Sequence, residues 1–286
     1  MLSQQLVPFT KYSGCGNDFI LIDNSASFLS IACPTAVVRL CHRQFGVGGD
    51  GLVLLEKSDI ADFRMRIYNA DGTEAEMCGN GIRCLAHFIH ERNPNVHTFK
   101  IETMHKLVSV NIEDDNINVE MPLPTEIKDN LDIIVNDKTW TGHFLNTGVP
   151  HFVLFVDDLE ADDLFLQAPF IRSHSEFCPR GTNVDFAKVL NDKTIAVRTY
   201  ERGVEKETLA CGTGAAAVAW TAARLFNLPS PITIYPRSQE SLQITYDGLP
   251  PAPSKIKMKG PANKIFQGEI ALGSLGFQLK SSPLFR

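Results

Sequence analysis

Apolar and polar positions change their spacing several times along the chain, and these changes predict short helices set among runs of strands. In the first half, a helix is predicted from Thr35 to Phe45, opened by Pro34 and stopped by Gly46, and a second from Gly81 to about Glu91. The strands predicted in this half are Phe19–Ile22, Leu52–Leu55, Phe63–Tyr68, Thr98–Glu102, Leu107–Ile112 and Ile117–Met121.

The second half repeats this plan. A helix predicted at about Gly214–Phe226 is apolar on nearly all sides, so we expect it to be buried inside its domain. The strands predicted in this half are Phe152–Val156, Thr194–Tyr200, Ile232–Tyr235, Leu242–Tyr246, Ile256–Lys259 and Lys264–Gln267. Helices embedded among antiparallel meanders, instead of alternating strictly with strands, predict an α+β fold.

The two central helices open with the same short motif. Cys78-Gly79-Asn80-Gly81 begins the first and Cys211-Gly212-Thr213-Gly214 begins the second, 133 residues later. A thiol immediately before a helix faces the unpaired N–H groups of the first turn, which lower its pKa and can also hold a carboxylate. Two copies, one in each half, favour a pair of active thiols over two unrelated glycine-rich turns.

The repeat also predicts the domain organisation. A chain of 286 residues is long enough for about two domains of ordinary size. Pro122-Leu123-Pro124 breaks the strand pattern, and the last predicted strand, near Leu275–Leu279, is expected to return to the first domain. The predicted N-terminal domain is therefore residues 1–121 plus about 268–286, and the C-terminal domain is residues 122–267.

Composition and charge disfavour several kinds of partner. The net charge is −6 and no block of Lys or Arg interrupts it, which disfavours nucleic acid and anionic membrane surfaces. The longest apolar run is far shorter than the ~18 residues that span a bilayer, and the N-terminal residues do not resemble a secretory signal. We therefore expect a cytoplasmic protein without membrane contact.

The seven cysteines predict neither a disulfide framework nor a metal site. Their number is odd, no CxxC pair occurs, and the histidines complete no zinc-ligand spacing. Two glycine-rich segments, residues 46–51 and 212–217, superficially match a dinucleotide motif. The first follows a helix and precedes a strand, and the second lacks an acidic residue about 20 positions on. We therefore expect no metal and no organic cofactor.

Two thiols that approach a substrate from opposite sides can invert a stereocentre. One thiolate removes a proton from carbon while the opposite thiol delivers one to the other face. The helix N-termini can stabilise the negative charge that develops on the substrate carboxylate. The alternatives in other classes are a thiol redox protein, which usually carries CxxC at one helix start, and a ligand-binding module without catalysis.

Five strings of the sequence resemble, in the same order, those of the diaminopimelate epimerase family. They are Gly16-Asn17-Asp18-Phe19, Asn69-Ala70-Asp71-Gly72, Cys78-Gly79-Asn80-Gly81-Ile82-Arg83-Cys84, Glu201-Arg202-Gly203-Val204 and Ala210-Cys211-Gly212-Thr213-Gly214. The resemblance runs from about residue 9 to the C-terminal strand. It implies two pseudo-symmetric domains, each a curled and mostly antiparallel sheet around a central helix, with the active site in the interdomain cleft.

The resemblance also implies a reaction and roles for individual residues. The reaction is the interconversion of LL- and meso-2,6-diaminopimelate, without pyridoxal phosphate, for lysine and peptidoglycan synthesis. Cys78 and Cys211 match the acid–base pair, and His151 matches a residue that assists them. The residues that match substrate-binding positions are Asn17, Asn69, Gly79, Asn80, Asn183, Glu201, Arg202, Gly212 and Thr213. The expected partner is a small diamino dicarboxylate, and a homodimer is implied because family members often form one.

One motif departs from the family pattern. The family usually has Gly-Asn-Pro-His where this chain has Gly148-Val149-Pro150-His151, and Val149 offers no side-chain donor to the distal head of the substrate. We hypothesise that selectivity is relaxed toward other α-amino acids, unless Asn146 compensates. Within the same chemistry, the alternative is another two-cysteine racemase, similar to proline racemase. The residues leave open which thiol rests as thiolate and whether the two thiols oxidise to a disulfide.

Overall fold

The structure of the chain, a computed structural model, describes residues 6–31, 33–75, 78–113, 116–248 and 254–280. Its strands are β1 (Leu6–Gly14), β2 (Asn17–Asp23), β3 (Leu29–Ser30), β4 (Gly51–Glu56), β5 (Phe63–Asn69), β6 (Glu74–Ala75), β7 (Thr98–Glu102), β8 (Leu107–Glu113), β9 (Asn116–Met121), β10 (Thr125–Val135), β11 (Lys138–Asn146), β12 (Pro150–Phe155), β13 (Asn183–Asn191), β14 (Thr194–Glu201), β15 (Lys206–Thr208), β16 (Ile232–Tyr235), β17 (Leu242–Asp247), β18 (Lys255–Gly260), β19 (Asn263–Ala271) and β20 (Gln278–Leu279). Its helices are α1 (Pro34–Cys41), α2 (Gly79–Arg92), α3 (Asp163–Arg172), α4 (Gly212–Phe226) and α5 (Leu272–Leu275), with a 3₁₀ turn at Ser175–Phe177.

Strands dominate this inventory, and the predicted α+β fold class is confirmed. Among the residues that the structure describes, no helix is both long and apolar enough to cross a membrane.

The chain divides into two compact units. Unit 1 comprises Met1–Val119 and Pro261–Arg286, and unit 2 comprises Glu120–Gly260. The chain returns to unit 1 earlier than the predicted boundary at residue 267, because all of β19 pairs with β1 in antiparallel register. The strand near Leu275–Leu279 is represented by β20, which pairs with β3 in unit 1.

Within unit 1, the strands pair in the order β19, β1, β2, β4, β5, β7, β8 and β9, and β6 also pairs with β5. The β2–β4 and β5–β7 pairs are parallel and the others are antiparallel. The central helix α2 connects β6 to β7. At the start of α2, Asn80 bonds to Asn17, the first residue of β2, and Gly81 lies close to the side chain of Ile67 in β5.

Within unit 2, the same succession recurs. The strands pair in the order β10, β11, β12, β13, β14, β16, β17 and β18, and β15 also pairs with β14. The β12–β13 and β14–β16 pairs are parallel, and α4 connects β15 to β16. The repeat detected in the sequence is thus a duplication of the whole pairing scheme.

Strand registers align the two units residue by residue. Leu52 faces Tyr68 across β4 and β5, and Val184 faces Tyr200 across β13 and β14. The matched positions stand 132 residues apart (52 and 184, 68 and 200). Since a one-residue slip would turn every side chain to the opposite face, this correspondence identifies which side chains occupy equivalent places.

An ion pair occupies equivalent places in both units. Arg66 donates two hydrogen bonds, of 2.8 and 2.9 Å, to the carboxylate of Glu74 on the adjacent strand. Arg198 does the same to Glu207, at 2.7 and 2.8 Å. The ion pairs connect β5 to β6 and β14 to β15. The short strands β6 and β15 precede the two cysteine segments.

The two long central helices are buried. In α4, every residue from Gly212 to Ala223 is buried, as the all-round apolar pattern predicted. Alanine side chains in this stretch let the surrounding strands approach closely. In α2, the buried face includes Arg83, whose side chain has no exposed surface. A fully buried guanidinium must have its N–H groups bonded inside the protein, and those of Arg83 donate to Asn80 and to the carbonyl of Pro261.

Helix α1 is shorter than its apolar pattern predicted. It ends at Cys41 instead of Phe45. Nδ1 of His42 accepts hydrogen bonds from the backbone N–H groups of Gln44 and Phe45, at 3.1 and 3.2 Å. These bonds close a local turn that competes with continued helix, and the Phe45 side chain is left 81% exposed.

Candidate active site

In unit 1, Cys78 is the N-cap of α2. Its backbone is extended (φ −142°, ψ 113°) and its half-buried sulfur accepts a hydrogen bond from the N–H of Gly81 at 3.4 Å. Hydrogen-bond donation to sulfur, together with the positive end of the helix dipole, favours the thiolate. The local geometry of Cys78 therefore suits a base.

Two predicted substrate-binding asparagines lie together beside this helix start. Asn80 donates from Nδ2 to Oδ1 of Asn17 at 2.6 Å, and Nη2 of Arg83 donates to Oδ1 of Asn80 at 2.8 Å. Asn17 in turn donates to Oδ2 of Asp50 at 3.2 Å. The buried guanidinium thus determines how the Asn80 amide is oriented, because it can only donate.

Asn69 occupies a different environment at the exposed end of β5. Its Nδ2 donates to Oγ1 of Thr73 at 3.0 Å, and Thr73 donates to Oδ1 of Asp71 at 2.6 Å. The side chain of Asn69 is therefore engaged in a turn, instead of joining the pair formed by Asn17 and Asn80. Across the β4–β5 ladder it faces Gly51.

In unit 2, Cys211 is the N-cap of α4, with an extended backbone (φ −121°, ψ 112°). Its half-buried sulfur lies 3.4 Å from Oγ1 of Thr213. Burial raises the pKa of the Cys211 thiol well above its ordinary value, and the negative charges of Glu201 and Asp185 raise it further. These effects outweigh the hydrogen bond from the N–H of Gly214, which favours the thiolate, so Cys211 favours the thiol form.

A chain of buried polar side chains leads away from Cys211. Oγ1 of Thr213 lies 2.9 Å from Nε2 of His151, and Nδ1 of His151 lies 2.6 Å from Oδ2 of Asp185. Oδ1 of Asp185 accepts a hydrogen bond from Oγ1 of Thr199 at 2.7 Å. His151 and Asp185 have no exposed surface, and Thr213 and Thr199 are buried.

Two further predicted residues of unit 2, Asn183 and Arg202, are hydrogen-bonded to each other, and Asn183 lies beside His151. Asn183 is buried, accepts the backbone N–H of Arg202 at 2.8 Å and donates to the carbonyl of Pro150 at 3.0 Å. Its Nδ2 also lies 3.5 Å from Nε2 of His151. The side chain of Arg202 is half-buried and donates to the carbonyl of Arg180 at 3.0 Å.

The segment around Val149 provides no obvious replacement for the missing asparagine. The carbonyl of Val149 accepts the N–H of Thr147 at 3.2 Å. Asn146 accepts the N–H of Gly148 at 2.9 Å and donates to Oε1 of Glu126 at 3.2 Å. Because the Asn146 amide is already bonded on both sides, its position gives no support to the suggestion that it compensates for Val149.

Three residues that organise the site, Asp185, Thr199 and Arg83, were not predicted from the sequence. A carboxylate in the buried part of a strand, as at Asp185 in β13, is a strong signal, since buried charge is rare unless it is paired. Aligning the strands of the two repeats would have shown the same anomaly, because Val53 of unit 1 stands where unit 2 has Asp185.

The seven cysteines are free thiols. Within the described parts of the chain, no three side chains of His, Cys, Asp or Glu are grouped so that they could hold a metal ion.

Comparison with known proteins identifies relatives over nearly the whole chain. A family model described as diaminopimelate epimerase matches residues 9–125 and 143–264. A diaminopimelate epimerase of Hydrogenobaculum sp. is 39% identical over 275 residues, which cover 92% of this chain and 98% of the relative. One of Archaeoglobus fulgidus is 39% identical over 288 residues, covering 96% and 99%. These matches confirm the resemblance that the five motifs indicate.

Solved structures share the fold at much lower identity. A hydroxyproline epimerase from Agrobacterium vitis, with trans-4-hydroxy-L-proline bound, superposes with a TM-score of 0.71 at 14% identity, covering 99% of this chain and 95% of that one. A phenazine biosynthesis protein of the PhzF family from Bacillus anthracis superposes with a TM-score of 0.70 at 16% identity, covering 93% and 99%. At this identity the likeness concerns the fold alone.

Proposed function

The chain belongs to the diaminopimelate epimerase family, a family of isomerases, and from this premise we propose that it inverts an α-carbon of 2,6-diaminopimelate with Cys78 and Cys211 as the two acid–base groups. One observation carries the proposal. The duplicated helix starts both present a cysteine as N-cap: a backbone N–H donates to the sulfur of Cys78, which favours a thiolate, whereas burial and the charges of Glu201 and Asp185 favour the thiol at Cys211. A two-base inversion needs one group of each kind.

The proposed step conserves protons and needs no electron acceptor. The Cα–H bond breaks and its proton goes to the Cys78 sulfur, while the electron pair spreads into the adjacent carboxylate. The S–H bond of Cys211 breaks and its proton forms a new C–H bond on the opposite face. The two cysteines end with exchanged protonation states, which serve the reverse reaction or are reset by solvent. The proposal requires that both thiols reach one α-carbon.

The helix starts supply stabilisation for the charge that develops on the substrate carboxylate. Backbone N–H groups in the first turns of α2 and α4 lie at the positive ends of the helix dipoles. Donors placed where charge appears in the transition state typically contribute about 3–4 kcal/mol each when they are shielded from water. The glycines of both motifs keep these N–H groups approachable.

Recognition of the distal amino-acid head is assigned to residues of both charge signs. We assign Glu201 to the distal ammonium, and Arg202 to the distal carboxylate, which a guanidinium can bind through two parallel hydrogen bonds. Asn17, Asn69, Asn80 and Asn183 are assigned to substrate binding with them. Val149 leaves one donor fewer than the family pattern provides, so relaxed selectivity remains part of the proposal.

The decisive test measures solvent deuterium at the substrate α-carbon. Wild type is expected to incorporate deuterium during epimerisation of diaminopimelate, while Cys78→Ser and Cys211→Ser lose about 10²–10⁴-fold in rate. Cys33→Ser and Cys178→Ser are matched controls, one exposed cysteine in each unit, and should retain the wild-type rate. If neither N-cap substitution changes the exchange, the two-cysteine mechanism is wrong.

The same assay separates the alternative functions. A thiol redox protein would show thiol–disulfide exchange without deuterium at Cα. A racemase similar to proline racemase would exchange deuterium into proline in preference to diaminopimelate. Activity on glutamate or lysine would support relaxed selectivity, and its complete absence from every substrate with a single amino-acid head would contradict it. Gel filtration tests the proposed homodimer, and cell fractionation tests the proposed cytoplasmic location.

A further inference from the structure

Unit 2 buries three polar side chains where unit 1 buries three apolar ones. The matched pairs, each 132 positions apart, are Phe19 and His151, Val53 and Asp185, and Ile67 and Thr199. The apolar set of unit 1 shows that this pairing scheme needs no polar groups at these places. Burying a carboxylate and an imidazole is unfavourable unless they are paired, so the polar set of unit 2 calls for a function beyond folding.

The hydrogen bonds of this set run in one direction. The carboxylate of Asp185 can only accept, and it accepts from Thr199 at Oδ1 and from His151 at Oδ2. Nδ1 of His151 therefore carries the proton of that bond, and Nε2, which the donor Nδ2 of Asn183 approaches to 3.5 Å, is the acceptor of the ring. Oγ1 of Thr213 lies 2.9 Å from Nε2 and is the donor in that bond.

The same order of donors and acceptors determines the hydrogen bond between Thr213 and Cys211. Because the hydroxyl proton of Thr213 is committed to His151, Oγ1 can only accept from Cys211, which lies 3.4 Å away. The S–H group is then the donor. A reversed chain, with His151 protonated on Nε2, would instead let the Thr213 hydroxyl donate to sulfur and would favour the thiolate.

We propose that Asp185 is a positioning residue of the active site, which holds His151 in the Nδ1–H form and thereby, through Thr213, keeps Cys211 as a hydrogen-bonded thiol ready to protonate the substrate. Thr199 supports Asp185 by occupying its second oxygen. Unit 1 has no equivalent chain, since Phe19, Val53 and Ile67 cannot form one. The proposal rests on the role of Cys211 as acid in the proposed function.

Asp185→Asn is the sharpest test, because it replaces one carboxylate oxygen of the buried network by an NH₂ group and changes the side-chain volume very little. The Thr199 hydroxyl keeps the side-chain oxygen on its side, so the new NH₂ group faces Nδ1 of His151. His151 is then expected to shift its proton to Nε2, and Thr213 to donate to Cys211. Nitrogen-15 spectra of histidine-labelled protein should show the exchanged tautomer, with the His151 signals identified by their loss in His151→Phe.

Thiol reactivity provides the second readout. Iodoacetamide reacts with the thiolate, so Asp185→Asn should alkylate Cys211 about three- to tenfold faster near neutral pH, as a fall of about one pKa unit would produce. Mass spectrometry compares Cys211 with Cys178 in the same sample. In epimerisation, kcat should fall in both directions with KM little changed, because the equilibrium constant fixes the ratio of the forward and reverse kcat/KM values.

Two further variants show whether the effect of Asp185→Asn on Cys211 is transmitted through the hydrogen bonds of His151 and Thr213. In a Thr213→Val background the link to Cys211 is missing, so adding Asp185→Asn should change the alkylation rate less than about twofold. Thr221→Val is the matched control, because Thr221 is also buried in unit 2 but donates to the carbonyl of Ala217 within α4. It should leave the Cys211 rate unchanged.

The outcomes separate this proposal from the proposed function. A folded Asp185→Asn protein with the wild-type tautomer and wild-type Cys211 reactivity would overturn the positioning role. So would equal acceleration at Cys211 and Cys178, which indicates a loosened fold. Neither readout requires substrate, so the effect of Asp185 on His151 and Cys211 is measured independently of whether diaminopimelate exchanges deuterium. If Asp185→Asn does not fold, Thr213→Val against Thr221→Val measures the same link.

Discussion

The two units share a pairing scheme but differ in what lies under the start of the central helix. In unit 1, the third residue of the cysteine motif, Asn80, is held by the buried guanidinium of Arg83. In unit 2, the equivalent residue, Thr213, is held by His151, which is backed by the buried carboxylate of Asp185. The equivalent helix starts are therefore supported by buried groups of opposite charge, the guanidinium of Arg83 in unit 1 and the carboxylate of Asp185 in unit 2.

This difference shows how a duplicated fold can supply two unlike groups from one motif. The backbone contributes the same features twice, namely an N-cap thiol, a glycine-rich first turn and a helix dipole. Both sulfurs accept the N–H of the third residue after the cysteine, and the buried side chains next to the helix start then distinguish Cys211 from Cys78. Acid–base chemistry on two faces of one carbon needs such a division, because two thiolates or two thiols cannot both abstract and deliver a proton.

The largest expected effect concerns the charged support of unit 1. Arg83→Met should lower the free energy of unfolding by about 3–5 kcal/mol, because buried acceptors including Oδ1 of Asn80 and the carbonyl of Pro261 lose their donor. Urea denaturation measures it. Arg64→Met, at a 43% exposed side chain, is the control and should change stability by less than about 1 kcal/mol. A loss below about 1 kcal/mol for Arg83→Met would show that the guanidinium is dispensable.

A smaller effect comes from one glycine position compared in both units. A Cβ at Gly214 would lie 2.5 Å from Oδ1 of Asp185, whereas one at Gly81 would lie 2.9 Å from Cδ1 of Ile67. The end of an isoleucine can move, but Asp185 is held by two hydrogen bonds. Gly214→Ala should therefore destabilise unit 2 by about 2–3 kcal/mol, and Gly81→Ala should cost about 1 kcal/mol or less. Thermal unfolding of both variants tests the order, and equal losses would contradict it.

Replacing the polar set of unit 2 with apolar side chains should affect stability less still. The combined variant His151→Phe, Asp185→Val and Thr199→Val is expected to change the free energy of unfolding by about 1–2 kcal/mol, since an apolar set of similar volume also avoids desolvation. Epimerisation should nevertheless fall sharply. Asp185→Val alone should be the less stable protein, because it leaves Nδ1 of His151 buried without its acceptor. The reverse order would mean that the network stabilises the fold.

The smallest expected effect concerns the two equivalent ion pairs. Glu74→Gln and Glu207→Gln should each lower stability by about 0.5–1 kcal/mol, because both pairs are partly exposed and keep a neutral hydrogen bond. The two losses should agree within about 0.5 kcal/mol, with Glu207 the larger since Arg198 is the more buried arginine. Denaturation at two salt concentrations measures both, and a large difference would weaken the structural equivalence of the units.

Local patterns in the sequence were enough to predict much of the fold. The α+β class, the duplication, the N-cap positions of Cys78 and Cys211 and the family follow from hydrophobic spacing and short motifs. Each of these patterns is carried by residues close together in the sequence, because helix caps and strand alternation depend on neighbouring residues. The early end of α1 was missed because the ring of His42 captures two N–H groups that helical spacing alone would leave in the helix.

The buried chain beneath Cys211 depended on tertiary structure. His151, Asp185 and Thr213 come from three separate elements, β12, β13 and α4, and only the registers of those elements bring the side chains within hydrogen-bond distance. The same holds for β19, whose partner is the first strand of the chain. The sequence by itself determined many of the elements and where the thiols stand, because those choices are local, but β1, β10, β11, β13 and α3 were not predicted. Which side chains meet, and in which direction their hydrogen bonds run, was decided by strand pairing, because a one-residue change of register replaces every neighbour.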